Sequence, residues 1–408
     1  MIVEALDTLW LLGLKEEFAE AERWVQESLS FDRAQGKMQS FFEATIRILG
    51  GLLGAHSLTH KEIFLRRAKE LGDRLIAAWP EAADLPNSDI NIGQNRSQHI
   101  RVQNGVKVFS IAEVASCQLE FRYLSYHTKD PTYAQFADRA MDAILDATPD
   151  KGLVSIYFNG NRHPTEAGST ITMGARGDSY YEYLLKQYLQ TSKTEPKFLH
   201  RWRIAMQEMM ERLIHKSSDG HVYVAKEYDG KVVHEFDHLS CFVAGMLAQG
   251  LYELPGTLPE DAKSLAADIT ATCRAMYNTR SGLAPEILDF SKGMKHIKAG
   301  DAFSLLRPEA VEAMYYMWYY TGDHKYRLWS HNVLQGLNRS ARTTYGFTSM
   351  DSVDAVHPSS RDMTESFFFA ETLKYLYLIQ AEPNLVPLDE FVFNTEGHPL
   401  RVWSGTGA

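Results

Sequence analysis

The sequence predicts an all-α fold that forms a single domain over residues 1–408. Apolar residues recur at three- and four-residue spacing in thirteen segments, which is the pattern of amphipathic helices. Strand-like segments are short and lie between those helices, and no Pro- or Ser-rich linker divides the chain. Sequential helices joined by long loops indicate one closed or solenoidal helical domain. At about 150 residues per domain, the length of the chain alone would suggest two or three domains, and we prefer the single domain.

The predicted helices cover most of the chain. Gly13 is expected to end the first, because glycine readily adopts the left-handed conformation that follows many helices. Pro131, Pro196, Pro259 and Pro308 stand near the first turns of four others, where proline is favoured. The thirteen segments are Ile2–Leu12, Glu16–Leu29, Lys37–His56, Lys61–Trp79, Ser110–His127, Pro131–Ala147, Asp178–Leu189, Pro196–Ile214, His238–Leu251, Pro259–Tyr277, Pro308–Tyr320, Asp323–Asn338 and Thr364–Ile379.

Short strands are predicted between some of these helices. The segments His221–Glu227 and Lys231–Phe236 flank a Tyr-Asp-Gly turn and indicate a hairpin. Another short apolar strand is expected at Phe391–Phe393 near the end of the chain. Asp84–Gly105 and Arg342–Asp362 are the longest loop-like stretches, and long loops in compact helical domains are often functional.

Composition and charge exclude several classes of protein. With 45% hydrophobic and 23% charged residues, the chain has the composition of a globular protein rather than a disordered one. Its 42 basic and 52 acidic side chains give a net charge of −10, which disfavours a nucleic-acid partner. No apolar run is long enough to predict a membrane span. The sequence also lacks a Gly-rich phosphate loop, an HExxH helix, a GxSxG elbow and a DxDxDG calcium loop.

Signals for localisation are mixed. Glu4 and Asp7 interrupt the first apolar segment and no basic residue precedes Lys15, so the chain as given carries no export signal. Sequons for N-glycosylation begin at Asn95 and Asn338, and such tripeptides are common by chance. The three cysteines lack zinc-site spacing and leave one thiol unpaired in any disulfide scheme.

Several carboxylates lie inside or at the ends of apolar, aromatic helices. Each of them taken alone is best interpreted as a surface residue or half of an ion pair. Together, acids and aromatics at converging helix ends favour a sugar site, because carboxylates bind hydroxyls and aromatic faces pack on pyranose C–H groups. Glycoside hydrolysis needs two carboxyl groups, one protonated and one ionised, and crowding of acids favours that division. These acids are Glu43, Glu113, Glu120, Asp178, Glu309, Glu312, Glu365 and Glu371.

Nine blocks along the chain resemble glycoside hydrolase family 47, the class I α-1,2-mannosidases. The resemblance implies an (α/α)7 barrel of fourteen helices, in which one further helix precedes the first one predicted here. It also implies a C-terminal hairpin that plugs the barrel, where Phe391–Pro399 falls. The blocks, in the family's order, are EALDTLWLLGL, FFEATIRILGGLLGAH, SIAEVASCQLEFRYLS, MGARGDSYYEYLLK, DHLSCFVAGML, GLAPEI, LLRPEAVEAMYYMWYYTGD, TESFFFAETLKYLYL and VFNTEGHPL.

The resemblance implies an inverting, calcium-dependent exo-α-1,2-mannosidase that trims high-mannose N-glycans on glycoproteins, in N-glycan processing and glycoprotein quality control. Glu43 matches the general acid, Glu309 the general base, and Asp178 a third catalytic carboxylate. Thr395 matches the threonine whose hydroxyl and carbonyl bind Ca²⁺, with waters as the other ligands. Arg176 matches the endoplasmic-reticulum type, so we expect the protein in the secretory pathway, specifically in that compartment. We also expect a monomer with no nucleic-acid partner.

Other positions match the substrate pocket and a disulfide. Cys241 and Cys273 match the family's internal disulfide, which would leave Cys117 as a buried free thiol. A degradation-enhancing mannosidase is disfavoured by Arg176 and the paired cysteines. A mannose-binding quality-control lectin without turnover is the alternative, and the presence of the three catalytic acids argues against it. The matched pocket residues are Arg47, Glu113, Arg176, His238, Glu286, Arg307, Glu312, Phe367, Glu371 and Glu396, with Asp7 as a further match that an ion pair would also explain.

Overall fold

The structure, a computed structural model, describes residues 1–34, 36–80, 83–103, 105–159, 169–355 and 359–403. Helices dominate these residues. Among them, none combines the length with the apolar composition that crossing a bilayer requires. The α-helices are α1 Ile2–Leu11, α2 Lys15–Glu27, α3 Phe41–Glu43, α4 Gly50–Thr59, α5 Glu62–Leu75, α6 Ile111–Val114, α7 Gln118–Thr128, α8 Thr132–Ala147, α9 Asp178–Gln190, α10 Pro196–Arg212, α11 Phe242–Glu253, α12 Ala262–Met276, α13 Glu309–Thr321, α14 His324–Ser340 and α15 Leu373–Leu378.

Each of the thirteen predicted segments contains helix, but three differ from the prediction. The segment predicted at Lys37–His56 begins as a helix only at Phe41, because the Ser40 side chain accepts the backbone N–H of Glu43 and caps the helix there. A π-helical turn, Ala44–Leu49, joins α3 to α4. The segment Ser110–His127 divides into α6 and α7, and the last predicted helix begins with a π-helical turn at Phe368–Thr372.

The strands are short and pair antiparallel. In the predicted hairpin Tyr228 faces Lys231, and Asp229 and Gly230 both have positive φ, as a tight two-residue hairpin turn requires. The strands are β1 Gln39–Ser40, β2 Asp89–Asn91, β3 Arg96–Gln98, β4 Val102–Gln103, β5 Val106–Ser110, β6 Tyr157–Asn159, β7 Thr170–Ile171, β8 Ile214–Lys216, β9 Val222–Val224, β10 Lys226–Tyr228, β11 Lys231–Val233, β12 Glu235–Asp237, β13 Ile287–Asp289, β14 Arg342–Thr343, β15 Gly346–Phe347, β16 Phe391–Phe393 and β17 Pro399–Arg401.

The chain forms two compact units. Unit 1 comprises the described residues of Met1–Ser169, Ser179–Trp202 and Val386–Ala408. In this unit α4 packs against α1, α5 and the hairpin strand β17, and α7 packs against α8. Its core includes the fully buried side chains of Leu6 and Leu53. The C-terminal hairpin is therefore a buried part of unit 1.

Unit 2 comprises Thr170–Asp178 and the described residues of Arg203–Leu385. Its central helix is α13, which packs against α11, α12, α14 and α15. Strand β12 pairs with β13 and leads directly into the turn before α11. The first residues of α11 and α13 are thereby held within one packed unit.

Candidate functional site

One cluster of charged side chains lies in unit 1 and centres on Arg47. The Arg47 Nε donates to Glu43 Oε2 at 2.6 Å, and its Nη1 pairs with Glu396 and lies 3.4 Å from Glu4 Oε2. Glu4 comes from α1, Glu43 from α3, and Glu396 from the turn between β16 and β17. We call these four residues the Arg47 cluster. It combines three carboxylates with one guanidinium and therefore carries excess negative charge.

The members of the Arg47 cluster differ in exposure. The side chain of Glu43 is 48% exposed, whereas those of Glu4 and Glu396 are 3% and 4% exposed. Glu43 ends α3, and Arg47, four residues later, lies on the π-helical turn that follows; π-helical turns are frequent at functional sites. Glu43 is thus the carboxylate of this cluster that solvent or a ligand can reach.

Burial and like charge set the protonation of the Arg47 cluster. Burial raises the pKa of Glu396 well above its ordinary value, Arg47 opposes this, and the negative charges of Glu4 and Glu43 add to it. Burial would lower the pKa of Arg47, but the three carboxylates raise it, so the guanidinium stays charged. These effects together favour the protonated form of Glu396.

The turn that carries Thr395 is held by Asn394. The Asn394 Oδ1 accepts the backbone N–H groups of Glu396 at 3.0 Å and His398 at 2.8 Å, and its Nδ2 donates to Glu120 Oε1 at 2.7 Å. Tyr183 also donates its hydroxyl to Glu120 Oε1 at 2.7 Å and accepts the N–H of Thr395 at 3.4 Å. Burial raises the pKa of Glu120 to about 7, although these two hydrogen bonds oppose the shift.

A buried carboxylate–imidazole pair ties the same turn to α1. Asp7 Oδ2 lies 2.7 Å from His398 Nδ1, and neither side chain is exposed. Helix α4 passes close to this pair, because a Cβ at Gly54 would lie 2.9 Å from Asp7 Oδ2 and 3.1 Å from His398 Cβ. Asp7, which the sequence placed among pocket matches, thus acts in the structure as an anchor for the C-terminal hairpin.

The oxygen atoms of Thr395 suit a hard cation. Thr395 is half-buried, and among the described residues no hydrogen bond engages its hydroxyl or its carbonyl oxygen. Within the same residues, no group of three His, Cys, Asp or Glu side chains is placed to hold a metal ion. The donors present therefore fit Ca²⁺ bound by threonine oxygens and water rather than by a carboxylate cage, since calcium accepts hydroxyl, carbonyl and water oxygens.

A second cluster lies in unit 2 and centres on Glu309. His238 Nδ1 lies 2.9 Å from Glu309 Oε2, and His238 Nε2 lies 3.3 Å from the hydroxyl of Tyr277. Arg307 pairs with Glu286, whose other carboxylate oxygen accepts the backbone N–H of residue 305. We call Glu309, His238, Tyr277, Arg307 and Glu286 the Glu309 cluster.

Local backbone structure brings the Glu309 cluster together. Strand β12 ends immediately before His238, and the His238 N–H donates to the carbonyl oxygen of Glu286 at 2.8 Å, next to β13. Leu306 has a φ of 62°, an uncommon value for leucine, and Thr372 donates its hydroxyl to the Leu306 carbonyl. Glu309 is the first residue of α13, where the helix dipole favours a carboxylate.

The pKa of Glu309 is shifted in the opposite direction from that of Glu396. Burial would raise the pKa of Glu309, but the hydrogen bond from His238 and the charge of Arg307 outweigh it and hold that pKa below its ordinary value. The side chain of Glu309 is 13% exposed. Nearby Asp237 behaves differently, because its burial raises its pKa despite a hydrogen bond from the Leu239 N–H. Glu309 is consequently an ionised carboxylate in a nearly dry environment.

The segment that carries Arg176 and Asp178 packs on the same part of unit 2. A Cβ at Gly174 would lie 3.0 Å from Asp237 Oδ2, so a side chain at Gly174 would press on the residue before His238. The Gly174 carbonyl accepts the N–H of Asp178 at 3.0 Å, at the start of α9. Arg176 and Asp178 are both half-buried, and Arg176 has a φ of 74°.

The remaining predicted pocket residues divide between the two units. Glu312, one turn after Glu309 on α13, and Glu371 are both buried. Phe367 is buried, and the Arg307 guanidinium carbon lies 5.6 Å from its ring centroid. Glu113 lies in unit 1, where Arg101 Nε donates to its Oε2 at 3.0 Å. The structure therefore gives Glu113 an ion-pair partner outside the Arg47 cluster.

The predicted disulfide is confirmed. Cys241 and Cys273 are bonded, with Cα atoms 5.9 Å apart, and connect the start of α11 to α12. Cys117 is a buried free cysteine, also as predicted.

Comparison with known proteins identifies the family. The sequence profile of Glycosyl hydrolase family 47 matches residues 1–402. The chain belongs to this family, as the nine blocks predicted. The chain is 39% identical over 415 residues to the Homo sapiens endoplasmic reticulum mannosyl-oligosaccharide 1,2-alpha-mannosidase, covering 99% of this chain and 58% of that protein. It is 38% identical to the Schizosaccharomyces pombe protein of the same name, covering 98% of this chain and 81% of that one.

A solved structure extends the family 47 match to three dimensions. The chain superposes on an alpha-1,2-mannosidase from Trichoderma reesei with a TM-score of 0.88 and 25% sequence identity, covering 98% of this chain and 90% of that one. This similarity confirms the predicted fold class. The chain spans 58% of the length of the Homo sapiens relative.

Sequence reasoning missed several members of the two clusters. Glu4 is three residues before Asp7 in an apolar helix, and that spacing of two acids on one buried face was a usable signal. Tyr277 follows the last residue of α12, and nothing in its sequence surroundings distinguishes it from a core tyrosine. Asn394 and Tyr183 act through buried hydrogen bonds between distant segments, which no local pattern reveals.

Proposed function

We propose that this family 47 chain is an inverting exo-α-1,2-mannosidase that removes terminal mannose from high-mannose N-glycans. The observation that carries the proposal is Glu309, a nearly buried carboxylate held ionised by His238 and Arg307. An ionised carboxylate in such surroundings is suited to accept a proton from water. The relatives named mannosyl-oligosaccharide 1,2-alpha-mannosidase support the choice of substrate.

In this proposal each catalytic carboxylate has the role that the resemblance to family 47 implies. Glu309 accepts a proton from the attacking water through the oxygen that His238 does not engage. Glu43, the exposed carboxyl of the Arg47 cluster, delivers a proton to the leaving oxygen, directly or through water. Asp178 is assigned as the third catalytic carboxylate. Inversion of an α-mannoside by this mechanism yields β-mannose as the first product.

Substrate and cofactor assignments follow from the pocket residues. We assign Ca²⁺ to the hydroxyl and carbonyl oxygens of Thr395, where it would orient the hydroxyls of the terminal mannose. Phe367 would pack on the pyranose, and Arg307 and Glu286 would bind its hydroxyls. Arg176 would hold one glycan branch through several donors, as an arginine fork can.

Cellular context is proposed from the relatives. Those named endoplasmic reticulum mannosidases support the secretory pathway, most specifically that compartment. The disulfide is compatible with that oxidising environment. We propose a monomer that acts in N-glycan processing and glycoprotein quality control.

Mannose release by purified protein tests the proposal. With calcium present, a high-mannose glycan and α-1,2-mannobiose should both release mannose, and proton NMR should detect β-mannose first. Glu309→Gln should lower kcat by about 10³-fold, because it removes the base while keeping the shape of the side chain. Glu390→Gln, at an exposed glutamate paired with Arg401, is the matched control and should leave kcat unchanged.

Three results would contradict the proposal in different ways. First-formed α-mannose would exclude inversion. Full activity after calcium removal would exclude the cofactor assignment. Absence of mannose release by the wild-type protein with retained glycan binding would favour the lectin alternative.

A further inference from the structure

The His238 imidazole lies between the carboxylate of Glu309 and the hydroxyl of Tyr277. Its Nδ1 is 2.9 Å from Glu309 Oε2, and its Nε2 is 3.3 Å from the hydroxyl of Tyr277. The imidazole side chain is 2% exposed, so these two contacts determine which nitrogen carries a proton. If Nδ1 is protonated, the ring donates to Glu309. If it is not, two acceptors face each other and the hydrogen bond to Glu309 is lost.

Tyr277 is well suited to decide between these states. Burial raises the pKa of Tyr277, and the negative charges of Glu309 and Glu286 raise it further, so its hydroxyl stays protonated. A protonated phenol can donate to an unprotonated Nε2, and a neutral imidazole then carries its proton on Nδ1. Arg307, Glu286 and Asp237 are the other charged groups that act on Glu309 or its surroundings.

We propose that Tyr277 is a positioning residue that fixes His238 as the neutral Nδ1–H tautomer. This rests on the proposed function of Glu309 as the base. In this tautomer His238 occupies Oε2 of Glu309 as a donor and leaves Oε1 to receive the proton of the attacking water. Without the Tyr277 hydroxyl, nothing selects this tautomer, and in the Nε2–H tautomer the unprotonated Nδ1 faces Glu309 without donating to it.

The covalent framework holds Tyr277 in place. His238 precedes Cys241 by three residues, and Tyr277 follows Cys273 by four, so the disulfide ties together the two segments that carry the hydrogen bond. The backbone N–H of His238 is bonded to the Glu286 carbonyl at 2.8 Å. The ring and the phenol are therefore anchored independently of any substrate.

The test compares two tyrosine-to-phenylalanine variants. Tyr277→Phe removes one hydroxyl and keeps the ring. Tyr223→Phe is the matched control, because the buried Tyr223 hydroxyl also contacts a histidine, lying 2.8 Å from His234 Nδ1 in the same unit. Steady-state kinetics on α-1,2-mannobiose and ¹⁵N NMR of the histidine rings at pH 7 are measured for both.

We expect the wild-type His238 ring to be protonated on Nδ1 alone. In Tyr277→Phe the ring should become a mixture of the Nδ1–H and Nε2–H tautomers, with kcat about tenfold lower and KM within about twofold. Tyr223→Phe should change neither kcat nor the His238 signals.

Other results would overturn the inference. A wild-type His238 protonated on Nε2, or on both nitrogens, would refute the tautomer. A Tyr277→Phe variant with an unchanged His238 spectrum would show a packing role, whatever its rate. If the wild-type protein released no mannose, the proposed function would fail, while the ¹⁵N spectra would still decide the tautomer.

Discussion

The Arg47 cluster of unit 1 and the Glu309 cluster of unit 2 use the same residue types with opposite results. In the first, one guanidinium faces three carboxylates, and the pKa of buried Glu396 rises. In the second, a hydrogen bond from His238 and the charge of Arg307 both stabilise the ionised form of Glu309, and its pKa falls. Burial favours protonation in both cases, so the hydrogen-bond donors and charges that surround each carboxylate decide the direction of its pKa shift. Burial alone therefore does not fix the direction of a carboxyl pKa shift.

Removing each arginine should produce the largest difference between the clusters. Arg47→Met is expected to lower the free energy of unfolding by about 3–5 kcal/mol, because three carboxylates lose the cation that they share. Arg307→Met should lower the free energy of unfolding by about 1–3 kcal/mol. The loss is smaller because His238 still donates to Glu309, and the main contact removed is the ion pair between Arg307 and Glu286. Urea denaturation at pH 7 measures both.

The two arginine side chains are comparably exposed, at 23% and 20%, so exposure does not explain an unequal loss. Arg361→Met, in an exposed pair with Asp351, is the control and should cost no more than about 1 kcal/mol. Equal losses for the Arg47 and Arg307 variants would break the comparison.

Glu120→Gln should remove a pH dependence of stability that belongs to unit 1. The folded pKa of Glu120 is about 7, above the ordinary value of about 4.5. Between those pH values the folded protein keeps a proton that the unfolded chain has lost. The free energy of unfolding therefore falls as pH rises, by up to about 3 kcal/mol for this group. The variant should have a flatter profile in thermal or urea unfolding from pH 4.5 to 7.5.

The contribution of Glu309 to the free energy of unfolding should change with pH in the opposite direction. Its pKa is lowered in the folded protein, so its contribution is present above the ordinary carboxyl range and is lost as pH falls. Glu390→Gln serves as the control for both, and its profile should follow that of the wild type. A Glu120→Gln profile as steep as the wild type's would show that Glu120 is ionised in the fold.

Alanine substitutions at two closely packed glycines should give the smallest losses of stability. Gly54→Ala would place a Cβ 2.9 Å from Asp7 Oδ2, and Gly174→Ala would place one 3.0 Å from Asp237 Oδ2. Each should lower the free energy of unfolding by about 1–3 kcal/mol through overpacking. Gly300→Ala, where a Cβ meets no atom within 4 Å, should change it by less than about 1 kcal/mol. Stability equal to that of the wild type in either test variant would show that its neighbours yield without cost.

Helical periodicity predicted the elements better than their ends. All thirteen segments contain helix, because apolar spacing reports the buried face directly. The start of α3 was placed too early, since the Ser40 cap and the β1–β2 pairing prevail over the apolar pattern at residues 37–40. The break between α6 and α7 was missed because the apolar pattern continues through residues 115–117.

Residue by residue, the sequence named most of the candidate site through its resemblance to the family. Glu43, Arg47 and Glu396 were proposed separately, and the structure pairs both carboxylates with the Arg47 guanidinium. His238 and Glu309 were likewise proposed separately and lie in hydrogen-bond contact. Glu113 was grouped with pocket residues, and the structure pairs it with Arg101.

The sequence by itself determined the helical class, the family, the disulfide pair and the identity of the main acids. The helical class follows from the spacing of apolar residues, and the other three properties follow from the resemblance of nine sequence blocks to the family. Tertiary structure alone decided which acids share a cation, and therefore which of them keeps a proton. Protonation depends on burial and on charges contributed by distant segments, such as Glu4 beside Glu396 and Tyr277 beside His238. Those neighbours are set by folding, so no local pattern in the chain can specify them.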